Sequence, residues 1–501
     1  MDDRTPILIG AGQITQRDVA PEAVLEPVAL MREAARNAAA DARLTDDALA
    51  GADTIAVVNL LSWNYANAPR LLAEMLGATP KDEVYTAIGG NSPQSLVDDT
   101  AKRIARGEVG LALLAGAEVM NGVKRARRAG VRIAWGNTGA VPEPRAFGDG
   151  RPGTNDLEVR HGLFLPVQVY PLFENAIRAR AGRTPSDHLK HLGKLYARFA
   201  AIAAQNEYAW FRTPRTAEQI ATVDADNRII AWPYPKLMNA IIDVDQGAAV
   251  LMTSVGRAKQ LGVPRDRWVF LQGFGEAHDK WFVSERCTYA QSPAIAAASR
   301  RALEMAGAGI ADVDLFDIYS CFPSAVQMAQ EALGIAADDP RPPTVTGGLA
   351  AFGGPGNNYS MHGIACMMDR LRAEPGKRGL VTALGWYVTK HAVGVYGTEP
   401  GPEPWSAPEA SLQPAIDAMP SPEIAERAEG PATIETYTVA HERGGDPERG
   451  IVIGRLGDGR RFLAVIDGDR ADLESLEREE GVGRAGSVTA DADGVNHFRL
   501  S

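Results

Sequence analysis

Apolar residues in the first 125 positions alternate between short continuous runs and stretches with helical spacing. The runs Thr54–Asn59 and Leu111–Ala115 predict short strands that are covered on both faces. Apolar residues recur at helical spacing over Pro27–Ala40, which predicts an amphipathic helix. Strands that alternate with helices in this way predict a sheet packed between helices.

The same order of elements returns in residues 293–398. A helix is predicted at Pro293–Ala306 and a strand at Val313–Tyr319. Each half also contains a glycine-rich turn, Ile88–Ser95 in the first and Gly347–His362 in the second, followed by a helix-like stretch and an apolar strand. Two copies of one pattern predict an internal duplication with two facing helix N-termini, which together could stabilise an anion.

The remaining segments differ in character from the two halves. Residues 126–265 are irregular, with one convincing helix near Ser186–Asn206, and residues 399–429 carry many prolines and predict a linker. From residue 430 the chain alternates between short apolar runs and turns. The runs are Thr433–Val439, Gly450–Leu456 and Arg461–Ile466. Short strands joined by turns such as Gly457–Gly459 predict a small, OB-like β-barrel.

Composition excludes several classes of protein. A chain of 501 residues is too long for one core, so two to three domains are expected. The net charge of −11 argues against nucleic-acid binding, which needs clustered Lys and Arg. The odd, widely spaced cysteines give neither a disulfide framework nor a metal site; they are Cys287, Cys321 and Cys366. No signal peptide or membrane span is visible, so a cytoplasmic protein is expected.

Several segments resemble the thiolase superfamily. They are Pro6–Gln13, Asp245–Val250, Asp317–Phe322 and the two glycine turns. The segment Ala231–Asn239 resembles one branch in particular, the thiolase-like protein type 1 group, which is close to the sterol-carrier-protein thiolases and carries an extra C-terminal domain. The resemblance covers the chain to about residue 400, with the extra domain after it. It implies an acetyl-CoA acetyltransferase homologue of lipid metabolism.

The resemblance also implies a fold and a division into domains. The expected fold is α/β: a duplicated five-layered αβαβα thiolase core with an inserted loop domain and a small C-terminal β-barrel. The expected domains are an N-terminal thiolase half at 1–125, a loop domain with the return to the core at 126–265, a C-terminal thiolase half at 266–398, a linker at 399–429 and the barrel at 430–501.

The catalytic residues that the resemblance implies are all replaced. The acylated cysteine falls on Gly90, and the histidine of the Gly-His-Pro turn falls on Gly354. The second cysteine falls on Ala383, and the histidine or asparagine of the oxyanion hole falls on Tyr319. Glycine and alanine can neither attack a thioester nor move a proton. No cysteine stands anywhere between residues 1 and 286, so cysteine-based condensation or thiolysis is not expected.

Three substitutes for the lost chemistry are open. Ser92 could be a nucleophile, although a serine before a helix is more often an N-cap. Cys321 could react, although a small buried role is the favoured interpretation. Tyr319 with His362 could act as an acid–base pair, as in the thiolase-like retro-aldolases of steroid side-chain degradation, whose partner protein contains an OB-type domain. The alternative is that Tyr319 fills space and His362 bonds to a backbone carbonyl.

Ligand binding could survive the loss of the reactive groups. The resemblance implies a CoA or acyl-CoA ligand, with no covalently bound cofactor and no metal. The expected CoA-binding residues are Lys236, Asn239, Ile242, Gly247, Ser92, Gly354 and Pro355. Ile242 replaces a polar residue of the family pattern. The basic run Lys124–Arg128 could meet phosphates, although a solvated loop is favoured.

Three functions therefore remain open from the sequence. The first is a catalytically altered homologue that binds a CoA thioester. The second is a lyase or retro-aldolase that uses Tyr319. The third is a scaffold whose C-terminal domain docks a protein partner. Neither nucleic acid nor membrane is an expected partner, and the oligomeric state is open between monomer and dimer.

Overall fold

The computed structural model describes residues 2–136, 141–402, 405, 411–466 and 468–501. Pro404 and Pro408 of the predicted linker lie outside the described residues. The helices are α1 Pro27–Asp41, α2 Ala68–Leu76, α3 Ser92–Ala105, α4 Met120–Arg128, α5 Asp156–Arg160, α6 Pro166–Arg180, α7 Pro185–Ala203, α8 Ala217–Ala221, α9 Val255–Leu261, α10 Pro293–Met305, α11 Pro323–Leu333, α12 Tyr359–Ala373, α13 Gln413–Asp417 and α14 Arg470–Arg478. None of these helices is long and apolar enough to cross a membrane.

The strands form three sheets. They are β1 Pro6–Thr15, β2 Thr54–Val57, β3 Asp82–Thr86, β4 Leu111–Val119, β5 Arg145–Phe147, β6 Ile229–Ala231, β7 Tyr234–Pro235, β8 Asp245–Ser254, β9 Phe270–His278, β10 Leu315–Asp317, β11 Arg378–Gly385, β12 Lys390–Gly397, β13 Gly430–His441, β14 Pro447–Leu456, β15 Arg461–Ile466, β16 Ala485–Ala490 and β17 Asn496–Leu500.

Two of the sheets show the duplication that the sequence predicts. The first has the order β1-β8-β4-β2-β3-β5, and the second has the order β9-β12-β11-β10. In both, the first two pairings are antiparallel and the third is parallel. The two halves therefore share strand order and strand direction.

Close packing of helix on strand repeats in the same way. A β-carbon at Gly10 of β1 would overlap the Ala38 carbonyl of α1, and one at Gly273 of β9 would overlap the Ala302 carbonyl of α10. Only glycine lets strand and helix approach this closely. Helices α3 and α12 contact each other and both sheets. The result is the predicted five-layered core, with α1 and α10 outside and α3 and α12 in the middle.

The segment between the halves contains more regular structure than the sequence indicated. The predicted helix at Ser186–Asn206 is confirmed as α7. The expectation of a single convincing helix there is wrong, because α6 has fifteen residues. Pro171 inside α6 hid this helix, since proline ordinarily ends a helical pattern. The buried face of α6, which includes Leu172 and Phe173, packs beside β13 of the C-terminal domain.

The C-terminal strands close into the OB-like barrel that the sequence predicts. The order around the barrel is β13-β14-β15-β17-β16, and β16 pairs with β13 to close it. Helix α14 lies between β15 and β16 along the chain. Tyr437, Phe462 and Phe498 are fully buried inside this domain. The five-stranded order with one helix after the third strand is that of an OB-fold.

Candidate functional site

The two glycine turns meet at the N-terminal ends of α3 and α12. The Gly89 N–H donates to Asn357 Oδ1 at 2.9 Å, and the Ser360 hydroxyl donates to the Gly90 carbonyl at 3.0 Å. Helix α12 begins at Tyr359, so Gly354 lies in the turn before the helix and His362 lies in the first turn of the helix. The intervening turn includes Gly356, at φ 53°, a conformation that favours glycine.

The side-chain position of Gly90 is occupied by Tyr319. A β-carbon at Gly90 would overlap the Tyr319 hydroxyl oxygen and would lie 2.5 Å from the Leu384 carbonyl oxygen. The Tyr319 N–H donates to Thr382 Oγ1 at 2.9 Å, and its ring packs edge-on against Tyr359. Burial raises the pKa of Tyr319 well above its usual value. Tyr319 is therefore a protonated phenol that fills the side-chain space of Gly90, the position on which the thiolase resemblance places the acylated cysteine.

We expect Gly90→Ala to lower the free energy of unfolding by about 1–3 kcal/mol, because overpacking a closed site forces side chains and backbone to shift. Gly354→Ala is the matched control: there the nearest atom to a β-carbon, Leu349 Cδ2, lies at 3.3 Å, so its loss should be smaller. Denaturant titration of both variants measures the difference. Equal losses would contradict the close approach of Tyr319 to Gly90.

His362 lies apart from Tyr319. It is fully buried on α12, its Nδ1 hydrogen-bonds Gln13 Oε1 at 2.8 Å, and its ring packs against Phe352. The expected bond from His362 to a backbone carbonyl is therefore wrong, because its partner is a side chain. The described residues show no contact between Tyr319 and His362. Burial lowers the pKa of His362 to about 3, so it is neutral at physiological pH.

The other two substitutes are also buried. Ser92 is the first residue of α3, and Asn91 is the residue that precedes the helix. The Ser92 hydroxyl donates to the Ala87 carbonyl at 3.2 Å. The interpretation of Ser92 as the N-cap is therefore wrong. Burial raises the pKa of the Cys321 thiol to about 12. A protonated, buried thiol is a poor nucleophile. Ala383 lies within β11, opposite Ala392, with no reactive group.

A cavity of about 220 Å³, called the inner cavity here, lies between α7 and the second glycine turn. Its walls are mainly apolar, with Tyr196, Phe199 and Leu237 on one side and Gly348 on another. An open basin of about 590 Å³, the outer basin, adjoins it. The residues that line both are Arg215, Lys236 and Leu237. The mainly apolar inner cavity thus adjoins, beside Arg215 and Lys236, a larger polar basin whose lining also includes Glu218, Asp224 and Asp226.

The predicted CoA-binding residues are only partly gathered at this cavity. Lys236 lines it, and Gly354 lies near it, since its N–H donates to the carbonyl of the lining residue Ile241 at 2.8 Å. Pro355 is buried in the turn after Gly354. Asn239 is buried, and its amide donates to the Pro235 carbonyl at 2.8 Å.

Three of the predicted positions lie elsewhere. Ile242 is exposed, Gly247 lies inside β8 opposite Ala117 and Ile14, and Ser92 lines a different cavity. Lys124 pairs with Asp243. Arg215 was missed, because an isolated arginine in an irregular segment gives no sequence signal. Within the described part of the chain, no three His, Cys, Asp or Glu side chains cluster as metal ligands would.

Comparisons with known proteins agree with this architecture. The family model for the thiolase C-terminal domain matches residues 275–398, and the model for the additional C-terminal domain of thiolase-like protein type 1 matches residues 411–493. A crystal structure of a monomeric SCP2-thiolase like protein type 1 from Mycobacterium smegmatis is 38% identical over 100% of both chains, with a TM-score of 0.86. No match was found among curated proteins.

Two more distant structures share the thiolase core. The Ltp2-ChsH2(DUF35) aldolase is 18% identical, covering 79% of this chain and 98% of that one, with a TM-score of 0.59. The dimeric peroxisomal thiolase of Saccharomyces cerevisiae is 14% identical, covering 80% and 98%, with a TM-score of 0.53. The duplicated core and the barrel thus define a thiolase-like protein with an added domain. Within that class, the chain belongs to the SCP2-thiolase-like protein type 1 family.

Proposed function

We propose that this protein binds CoA or an acyl-CoA in the inner cavity and does not carry out cysteine-based thiolase chemistry. The observation that carries the proposal is the junction of the inner cavity with the outer basin at Arg215 and Lys236. The narrow apolar cavity suits the pantetheine arm. The two cations at its mouth suit the phosphates, because Arg and Lys form charge-assisted hydrogen bonds with phosphate oxygens.

The lost reaction centre supports the second half of the proposal. Gly90, Gly354 and Ala383 carry no group that can attack a thioester. None of the described residues that line the inner cavity is one of these three or Tyr319. A ligand in the cavity therefore stops short of Gly90, whose side-chain space Tyr319 fills. Binding without condensation or thiolysis follows from this separation.

A retro-aldol reaction at Tyr319 is the second candidate. Its hydroxyl fills the side-chain space of Gly90, on which the resemblance places the thiolase nucleophile, and a distant structural neighbour is named an aldolase. Because its pKa is raised, Tyr319 is protonated; as the Cα–Cβ bond breaks it would give this proton to the forming enolate oxygen and take up the proton that the β-hydroxyl loses. This candidate would be favoured if the wild-type protein turns over a β-hydroxyacyl-CoA and Tyr319→Phe abolishes that turnover. Absence of turnover on a panel of thioesters would reject it.

A scaffold that docks a partner through the barrel is the third candidate. Part of the barrel already contacts its own chain, for example through α6 and β13. The outer edge of β3 is paired with β5 of the same chain, so this edge cannot pair with a second copy, which favours a monomer. Co-purification of a protein partner, without measurable CoA affinity, would favour the scaffold over the binding protein.

Calorimetric titration with CoA, acetyl-CoA and a long-chain acyl-CoA tests the leading proposal. We expect micromolar binding and a five- to tenfold weaker affinity in Lys236→Ala, because one phosphate contact of the charge-assisted kind is lost. Lys259→Ala is the control: Lys259 is also exposed, and it pairs with Asp3 away from the cavity. The proposal would be overturned if none of the three ligands binds. It would also be overturned if Lys236→Ala and Lys259→Ala bind CoA with equal affinity.

A further inference from the structure

A second cavity, of about 280 Å³, opens on the other side of the first glycine turn. It lies between the start of α3 and the edge of the second sheet, and we call it the lysine cavity. The residues that line it include Asn91, Ser92, Ser95, Glu276, Trp281 and Lys390. A β-carbon at Gly89 would lie 2.8 Å from Lys390 Nζ. Gly90 therefore faces Tyr319, and the preceding glycine faces Lys390.

Backbone carbonyls hold the ammonium group of Lys390 at this place. The residue is 7% exposed, and its ammonium donates to the Ile88 carbonyl at 2.5 Å and to the Asp149 carbonyl at 3.4 Å. Within the described residues, no Asp or Glu oxygen forms an ion pair with it. Burial lowers the pKa of Lys390 to about 8. Backbone carbonyls position the amine, but they do not hold it as firmly in the charged form as a carboxylate would.

Charged and titratable groups from three elements face this amine, and the start of α3 contributes uncharged side chains. The charged groups are Asp149 and Arg151 from the loop after β5 and Glu276 from β9; two further titratable side chains are His278 from β9 and His391 from β12. Asp149 pairs with Arg151, whose guanidinium stacks on Trp281 at 3.8 Å. Asp149 is thus paired with Arg151. Lys390 keeps two backbone carbonyl acceptors and the ring of Trp281, whose centroid lies 5.9 Å from the ammonium, and none of the described carboxylates forms an ion pair with it.

A proton donor stands in the same cavity. The Ser95 hydroxyl donates to Glu276 Oε2 at 2.8 Å, on the wall beside Lys390. Asp98 lies next to Glu276, and burial, with the nearby charge of Glu276, raises the pKa of Asp98 well above its usual value. The raised pKa favours a proton on buried Asp98, and the hydrogen bond between Asp98 and Glu276 connects that proton to the cavity wall. The pair can supply a proton to chemistry in the cavity and take it back.

We propose that Lys390 forms an imine with small uncharged aldehydes or ketones that enter the lysine cavity. The neutral amine attacks the carbonyl carbon and a C–N bond forms. The carbonyl oxygen takes a proton from the carboxyl pair, and the nitrogen returns one proton to the pair, which gives a carbinolamine. The C–O bond then breaks, the hydroxyl leaves as water with a second proton from the pair, and the nitrogen gives its remaining proton back to the pair to leave the imine. No oxidant or reductant is needed. A desolvated lysine beside a proton donor has the properties that imine formation requires.

An uncharged carbonyl compound fits this cavity better than a charged one. Lys390, Glu276 and Asp149 line it, and Asp149 is paired with Arg151, so neither sign of charge prevails. The aromatic ring of Trp281 and the side chain of Phe147 add apolar surface. The cavity volume admits a compound of about seven or eight heavy atoms with room for the imine bond.

Reductive trapping of the wild-type protein tests the inference. The protein is incubated at pH 7.5 with cyclohexanone or benzaldehyde and sodium cyanoborohydride, and each lysine is followed by peptide mass mapping. We expect Lys390 to be alkylated at least tenfold faster than exposed Lys194 and Lys259, with a rate that saturates as the carbonyl concentration rises. Alkylation of Lys390 no faster than that of the two exposed lysines would overturn the inference.

Lys390→Arg gives the matched variant, since it keeps the cation and its donors but cannot form an imine. We expect the fast alkylation to vanish in it. If the variant does not fold, the wild-type peptide map still decides the question. The lysine cavity and the inner cavity are lined by different residues, so CoA should not protect Lys390, and the outcome here is independent of the CoA titration. If CoA slows the alkylation of Lys390, the conclusion that the two cavities are separate is contradicted.

Discussion

Replacement of Arg461 by methionine should lower the free energy of unfolding by about 3–5 kcal/mol, the typical cost of breaking a buried ion pair from one side. Arg461 is fully buried at the start of β15. Its guanidinium forms a bidentate pair with Glu435, at 2.9 and 2.6 Å. Its remaining terminal nitrogen donates to the Ser284 and Arg286 carbonyls, which belong to the thiolase part.

The large effect has a specific cause. Arg461→Met keeps most of the buried stem but leaves two buried carbonyls without a donor, and each unsatisfied polar group costs about 1–3 kcal/mol. Glu435 keeps Arg455 as a partner, at 2.8 Å, which limits the loss. The broken contacts join the barrel to the segment after β9. We therefore also expect the barrel to detach first and to become sensitive to limited proteolysis.

Arg460→Met is the matched control, one residue earlier in the chain. Arg460 is 41% exposed and pairs with Asp458 at the surface, where an ion pair contributes little. Its effect should stay within about 0.5 kcal/mol. Denaturant titration by tryptophan fluorescence, with proteolysis in parallel, compares the two variants. Equal effects at the two positions would show that Arg461 does not hold the barrel in place.

The sequence predicts the features of this fold that repeat at short range. Strand runs and helical spacing locate the two halves, and the glycine turns locate the starts of α3 and α12 within a few residues. The barrel follows from alternation and turns. These signals work because they depend on neighbours along the chain, where the periods of helix and strand are fixed. Gly90 could be proposed as the position of the thiolase cysteine for the same reason, since a motif is a local pattern.

Contacts between distant segments were not predictable. Tyr319 fills the space of Gly90, which is 229 positions away in the chain, and Lys390 reaches the Ile88 carbonyl across 302 positions. The sequence suggests an acid–base pair of Tyr319 and His362, but His362 forms its hydrogen bond with Gln13 in β1. A sequence shows which groups are present, but packing between elements decides which of them meet. The catalytic substitutes were therefore named from the sequence and placed only by the structure.

The protein should lose stability on acidification through His362. Burial holds its pKa at about 3, whereas the unfolded chain has the ordinary value near 6.5. Between pH 6.5 and pH 3, His362 is protonated in the unfolded chain but not in the native state. The contribution of His362 to the free energy of unfolding is therefore complete above pH 6.5 and is lost as the pH falls. At 1.36 kcal/mol for each pH unit, we expect a loss of about 2 kcal/mol at pH 5 and about 4–5 kcal/mol near pH 3.

His362→Asn should remove this dependence, because the amide can still donate to Gln13 Oε1 but does not titrate. The measurement is the free energy of unfolding of wild type and variant at pH 7 and pH 5. The other groups titrate equally in the two proteins, so the difference between them reports on His362. Glu118→Gln is the control of opposite sign. Burial raises the pKa of Glu118 to about 7, so Glu118 adds stability as the pH falls from 7 toward 4.5, and its removal should steepen the acid loss. A difference between wild type and His362→Asn that is the same at both pH values would show that His362 does not titrate on unfolding.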